Sequence, residues 1–198
     1  TENMFDRSII IEDRNRAVAK CVADFMRDTN PYQKAIVFCV DIAHAERMRM
    51  ALTNEMSEFT RESSRYVVKI TGDDTFGKME IENFINPESK YPVIATTSKL
   101  LSTGVDTKTV QLIVLDAPMN SMTEFKQIIG RGTRVEEQYG KYYFTIMDFR
   151  NVTRLFADPA FDGDPVKVYE HDGNDSVDIT DTINQETLSE SDIREYDP

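Results

Sequence analysis

Gly130-Arg131-Gly132-Thr133-Arg134 sets two arginines three positions apart among glycines, after Gln127 and the apolar pair Ile128-Ile129. A guanidinium is a permanently charged planar fork that matches phosphate oxygens. Positions three apart on a helix share a face, so both forks can reach one polyphosphate from the same side. That chemistry suits phosphoryl transfer, where a protein acts mainly by positioning and charge neutralisation. The same octapeptide also reads as a surface helix with two solvated arginines, because short motifs recur by chance.

Two further segments have phosphate-binding chemistry. Ala95-Thr96-Thr97-Ser98, with Gly104-Val105-Asp106 a few residues on, places hydroxyls and backbone N–H groups where a strand gives way to a helix. Gly104 permits a tight backbone, and Asp106 can accept from a sugar hydroxyl. A helix N-cap is the plainer reading of Thr-Thr-Ser. Ile70-Thr71-Gly72-Asp73 is again small and polar after an apolar run, which a turn also explains. The chain has no Gly-x-x-x-x-Gly-Lys-Ser/Thr phosphate loop and no Asp-Glu pair at a strand end to hold magnesium. Glu136-Glu137 reads as a solvated turn.

The elements that must position these residues follow from apolar periodicity. Helical stripes run through 12–28, 43–56, 76–84, 123–131 and 151–156, with a helix or turn at 98–101. Short apolar runs at 34–40, 66–70, 91–96, 110–115 and 142–147 predict strands covered on both faces. Strand–helix alternation with short connections predicts a parallel α/β sheet with helices on both sides. Ligands gather at the carboxyl ends of such strands. The tips Asp41, Thr71-Gly72, Thr96-Thr97 and Asp116-Ala117 are expected along that edge.

The 198 residues are 40% hydrophobic and 10% aromatic, which is enough for a globular domain with a real core. The net charge of −12 looks hostile to nucleic acid, but the segment from Asp158 to Pro198 holds 13 acidic and 2 basic residues. Residues 1–157 hold 22 acidic and 21 basic residues, so the body can carry a local basic groove. The expected division is a domain over 1–157 and an acidic, poorly structured tail or linker over 158–198. Cys21 and Cys39 make no disulfide framework, and with His44 and His171 they give no zinc spacing. No apolar run reaches the length of a membrane span and no signal peptide is visible, so a cytoplasmic location without membrane contact is expected. A start at Thr1 rather than Met is consistent with a fragment of a longer chain, and processing also explains it.

Order and spacing together resemble the second RecA-like domain of superfamily 2 helicases and translocases. Lys34–Cys39 looks like motif IV, Val68–Gly72 like motif IVa, Ala95–Asp106 like motif V and Gln127–Arg134 like motif VI. The runs 90–99, 121–134, 143–150 and 155–163 are similar to the restriction (motor) subunit of type I restriction-modification enzymes. The resemblance implies a RecA-like fold and a module that couples ATP hydrolysis to movement of double-stranded DNA, within a type I site-specific deoxyribonuclease. It implies Arg131 and Arg134 as arginine fingers and Gln127 as a coupling residue. Gly104, Asp106 and Gly130 would lie on the nucleotide side, and Thr71, Gly72, Thr96, Thr97 and Asp41 along the DNA. It implies ATP and Mg2+ in the intact motor, none bound to this fragment alone, and no activity from the fragment. Implied partners are the preceding RecA-like domain of the same chain and the modification and specificity subunits. One departure is Ile128-Ile129, where many such helicases carry a His or Gln-Arg contact. Alternatives are the equivalent domain of another DNA or RNA helicase, and a non-motor phosphate-binding module.

Overall fold

The computed structural model describes the backbone of residues 2–98, 109–119, 121–132 and 143–155, and the side chains of 12–98, 109–119, 121, 123–128 and 143–154. The chain divides at Asp164/Pro165, and the second part lies outside the described residues. So do the turn expected after Ser98, Gly104, Asp106 and Arg134.

Helix α1 (Glu2–Asp28) precedes strand β1 (Lys34–Cys39), and α2 (Ile42–Glu55) and the short α3 (Ser57–Thr60) follow it. Next come β2 (Val67–Lys69), α4 (Thr75–Ile85), β3 (Ile94–Thr97), β4 (Val110–Asp116), α5 (Met122–Gly132), β5 (Thr145–Asp148) and α6 (Val152–Leu155). The strands form one sheet in the order β2-β3-β1-β4-β5, and every described pairing is parallel. This is the α/β sheet with helices on both faces that the alternation predicts.

β1 lies at the centre, and all six of its residues are buried. Alternate side chains feed two cores. Ala35, Val37 and Cys39 pack with Val18, Val22 and Met26 of α1 and Met48 and Leu52 of α2. Ile36 and Phe38 pack on the other side with Phe84 of α4 and Phe125 and Ile128 of α5.

Three boundaries differ from the sequence reading. α1 begins ten residues earlier than expected, at Glu2. The run Ile9-Ile10-Ile11 blurs the periodicity, but isoleucine lowers helix propensity by only a few tenths of a kcal/mol, too little to break a helix. β3 begins at Ile94, not 91, because Pro92 has no N–H to give a ladder. β5 begins at Thr145.

Two aspartates start helices. Asp41 caps α2 by accepting from the His44 N–H at 2.6 Å, and Asp74 caps α4 by accepting from the Gly77 N–H at 3.1 Å. Gly77 has a second role. A Cβ there would sit 2.2 Å from the Lys69 backbone oxygen, so α4 can lie this close to β2 only because the side chain is absent. Gly→Ala in a helix ordinarily gains about 0.5–1 kcal/mol. Here the clash is with backbone, and overpacking of that kind costs about 1–3 kcal/mol. The clash decides the sign: Gly77→Ala is expected to lower the thermal midpoint, and a raised midpoint would contradict the close packing.

Candidate functional site

All strands run the same way, so Cys39, Lys69, Thr97, Asp116 and Asp148 finish at one edge of the sheet. The register brings their tips level: Phe38 pairs with Thr97, Cys39 with Asp116, and Leu115 with Asp148.

A polar network sits at the β1–β4–β5 end of that edge. Asp116 is fully buried, and its Oδ1 accepts from Arg14 Nη1 at 2.7 Å and from Arg150 Nε at 2.9 Å. Arg14 comes from α1 and also reaches the Phe149 carbonyl. Behind the carboxylate stands His44. The Val40 N–H donates to His44 Nδ1 at 3.1 Å, so the ring proton belongs on Nε2. That N–H points to Asn15 Oδ1 at 3.1 Å. It also lies 3.3 Å from Asp116 Oδ2, a contact within ion-pair range but without hydrogen-bond alignment. It is best described as a charge–dipole contact. The Asn15 orientation is assigned from this network, since a flipped amide would set donor against donor. Burial pushes the Asp116 carboxyl up, but the His44 and Arg14 contacts outweigh it and hold the group below the ordinary aspartate range.

The second half of the edge carries the residues singled out from sequence. Thr71 is buried and its hydroxyl donates to Asp73 Oδ1, a hydrogen bond that holds the exposed Asp73 carboxyl below its ordinary range. Gly72 faces open space, with nothing within 4 Å of where a Cβ would be. Thr96 is fully buried and its hydroxyl donates to the Ala45 carbonyl at 2.9 Å, joining β3 to α2. Thr97 Oγ1 is buried and has no hydrogen-bond partner among the described residues. Asp41 is exposed, with its carboxylate on the α2 N-terminus. The edge therefore brings Asp41, Thr71, Gly72, Thr96 and Thr97 to one line of strand tips, but the Asp41 carboxylate and the Thr96 hydroxyl are already engaged.

Gln127 lies exposed on α5, and Gly130 and Arg131 are in its last turns. The buried Phe125 and Ile128 fasten that helix to the core. Ile128, the departure from the helicase pattern, is thus a packing residue. Among the described residues, no group of three or more His, Cys, Asp or Glu could hold a metal ion. No helix among them is long and apolar enough to cross a membrane.

Sequence reasoning missed Arg14, His44 and Arg150. A signal for the network existed: Asp116 ends a seven-residue strand whose other residues are mostly buried. A carboxylate drawn into such a position needs a cationic partner.

The fold is that of a helicase C-terminal domain: residues 14–136 match the helicase conserved C-terminal domain family, and the chain belongs to it. The chain is 56% identical over 174 residues to the type I restriction enzyme EcoAI endonuclease subunit of Escherichia coli, covering 88% of this chain and 22% of that protein. It is 32% identical over 150 residues to the EcoKI endonuclease subunit of Escherichia coli strain K12, covering 73% of this chain and 12% of that one. It thus spans about a fifth or less of the curated relatives it matches. A fragment structure from Vibrio vulnificus YJ016, assigned as the HsdR subunit of a type I restriction enzyme, superposes with a TM-score of 0.76 at 48% identity. That match covers 82% of this chain and 32% of the fragment. Domain 2 of the DEAD-box helicase Mss116p shares the fold at a TM-score of 0.54 and 15% identity, covering 70% of this chain and 50% of that one.

Proposed function

We propose that residues 1–157 are the second RecA-like motor domain of a type I restriction endonuclease subunit, with 158–198 an acidic tail or linker. Identity of 56% across 88% of the chain to a type I restriction endonuclease subunit carries this reading. The intact protein would couple ATP hydrolysis, with Mg2+, to translocation of double-stranded DNA in the cytoplasm. Its partners would be the preceding RecA-like domain and the modification and specificity subunits.

The roles divide by chemistry. Arg131 and Arg134 would stabilise charge on the transferred phosphoryl group, with Gln127 coupling nucleotide to the facing domain. Gly104, Asp106 and Gly130 would line the nucleotide side. The open backbone at Gly72 would touch the DNA phosphodiester, while Thr71 and Thr97, both fully buried, would hold the β2 and β3 tips that present it. Thr96 and Asp41 would support them, one by tying β3 to α2 and the other by capping α2. The phosphate loop and magnesium carboxylates would come from another domain, so opening and closing of the interdomain cleft would gate hydrolysis.

The test compares two samples. This chain alone is expected to show no ATP turnover, and the full-length protein is expected to show turnover stimulated by duplex DNA. Robust ATP hydrolysis by the isolated chain would refute the reading, as would a full-length enzyme indifferent to DNA.

A further inference from the structure

Two guanidiniums on one carboxylate oxygen are more than structure requires. A single arginine neutralises Asp116. The second leaves the group with an excess positive charge at the carboxyl edge of the sheet. Both arginines reach solvent, with Arg14 36% and Arg150 33% exposed, while Asp116 is fully buried. Arg150 binds the carboxylate through Nε alone, and neither of its terminal nitrogens has a partner among the described residues. Arg47, one turn beyond His44 on α2, adds another half-buried guanidinium without a partner at Nε among the described residues. Asp41, Asp73 and Asp148 also stand at this edge and keep their negative charge, with their oxygens turned to local donors: Asp73 accepts from the Thr71 hydroxyl. Asp41 accepts from His44, and Asp148 accepts from Arg150 and Thr153. The donors left without a partner among the described residues include the terminal nitrogens of Arg150.

We propose that Arg14 and Arg150, seated on the buried Asp116, contact the phosphodiester backbone of duplex DNA and extend its track from the β2 and β3 tips to those of β4 and β5. This rests on the motor reading above. The strand order sets the distance. β3 and β4 are separated by β1, two strand spacings or about 10 Å. Phosphates advance about 3.4 Å along the axis per nucleotide of one strand. A strand passing Gly72 and the β3 tip would therefore present, roughly three nucleotides on, a phosphate at the arginine pair. Asp116 fixes where the forks point, so it acts as a positioning residue, and exposed arginines already ordered lose little freedom on binding.

The experiment measures binding of a duplex lacking any particular sequence to the full-length protein, for wild type, Arg14→Gln, Arg150→Gln and the double variant, from about 50 to 200 mM salt. Each lost phosphate contact should lower the log–log salt slope by about 0.9 and weaken binding several-fold, with the KM for ATP unchanged. Arg14→Lys and Arg150→Lys keep the charge and should keep most of the slope, which covers the case of a glutamine variant that fails to fold. An unchanged salt slope with a lowered melting temperature would overturn the proposal, leaving the arginines as ties between α1, β4 and β5. A raised KM for ATP with an unchanged slope would overturn it in favour of a nucleotide phosphate. Wild-type protein that neither binds duplex nor turns over ATP with it would instead remove the motor reading, and this inference with it.

Discussion

Arg131→Ala or Arg134→Ala in the full-length protein is expected to cut DNA-stimulated ATP turnover by about 10³–10⁵-fold while leaving duplex affinity within a few-fold of wild type. The phosphoryl group develops charge over its equatorial oxygens during transfer, and a guanidinium in a water-excluded cleft is worth far more there than in bulk water. Losing it removes transition-state stabilisation with little effect on ground-state binding, so kcat falls and the KM for ATP stays close to its starting value. Arg→Lys at either position should rescue only partly, because a compact ammonium cannot present the same fork. The measurement is steady-state ATP hydrolysis with and without duplex, beside an anisotropy titration of the same duplex. Loss of duplex affinity with turnover per bound enzyme intact would point to a phosphate-binding module rather than a motor.

The second large effect is expected at Asp116. Asn keeps the shape but removes the charge, and it turns one oxygen into a donor that faces the His44 Nε2–H or the arginines. Removing one member of a buried pair costs about 3–5 kcal/mol. Here the two arginines are about a third exposed and can be partly re-solvated, so the expectation is lower, about 2–3 kcal/mol. In a domain of this size that lowers the melting temperature by roughly 4–12 °C. The pH dependence has a definite sign. The folded-state carboxyl is held below its unfolded value of about 3.9, so its stabilisation is complete above that value and disappears as pH falls through the folded one. Wild type should therefore lose stability more steeply than Asp116→Asn on acidification below about pH 4. Parallel acid limbs and equal melting temperatures would show that the carboxylate contributes nothing.

Much of this architecture was legible along the chain. The run Lys34–Cys39 contains no turn signal and no polar alternation, and only a strand covered on both faces suits it. Asp41 was readable as the polar residue that follows a strand, and it proves to cap a helix. Gly77 was not legible. A glycine inside a helical stripe reads as a weak helix position, and only the nearby Lys69 oxygen reveals its purpose. Thr96 shows the opposite limit. Its type suits a phosphate, but a hydroxyl serves a neighbouring carbonyl equally well, and the proximity of Ala45 across 51 residues decided its partner.

The local order of residue types determined the strands, the helices, their parallel arrangement and the motifs at the strand tips. These depend on periodicity and turn chemistry within a few residues, so they can be read without knowing what touches what. The Arg131–Arg134 spacing and the ordered motifs before it belong to that class. The tertiary structure alone decided that Arg14, His44, Asp116 and Arg150 meet. Arg150 lies 34 residues beyond Asp116 and Arg14 far before it. No periodicity links them. A buried carboxylate must find cations, but sequence does not say which arginines the fold will bring within 3 Å; sheet order and the lie of α1 across the β4 tip do.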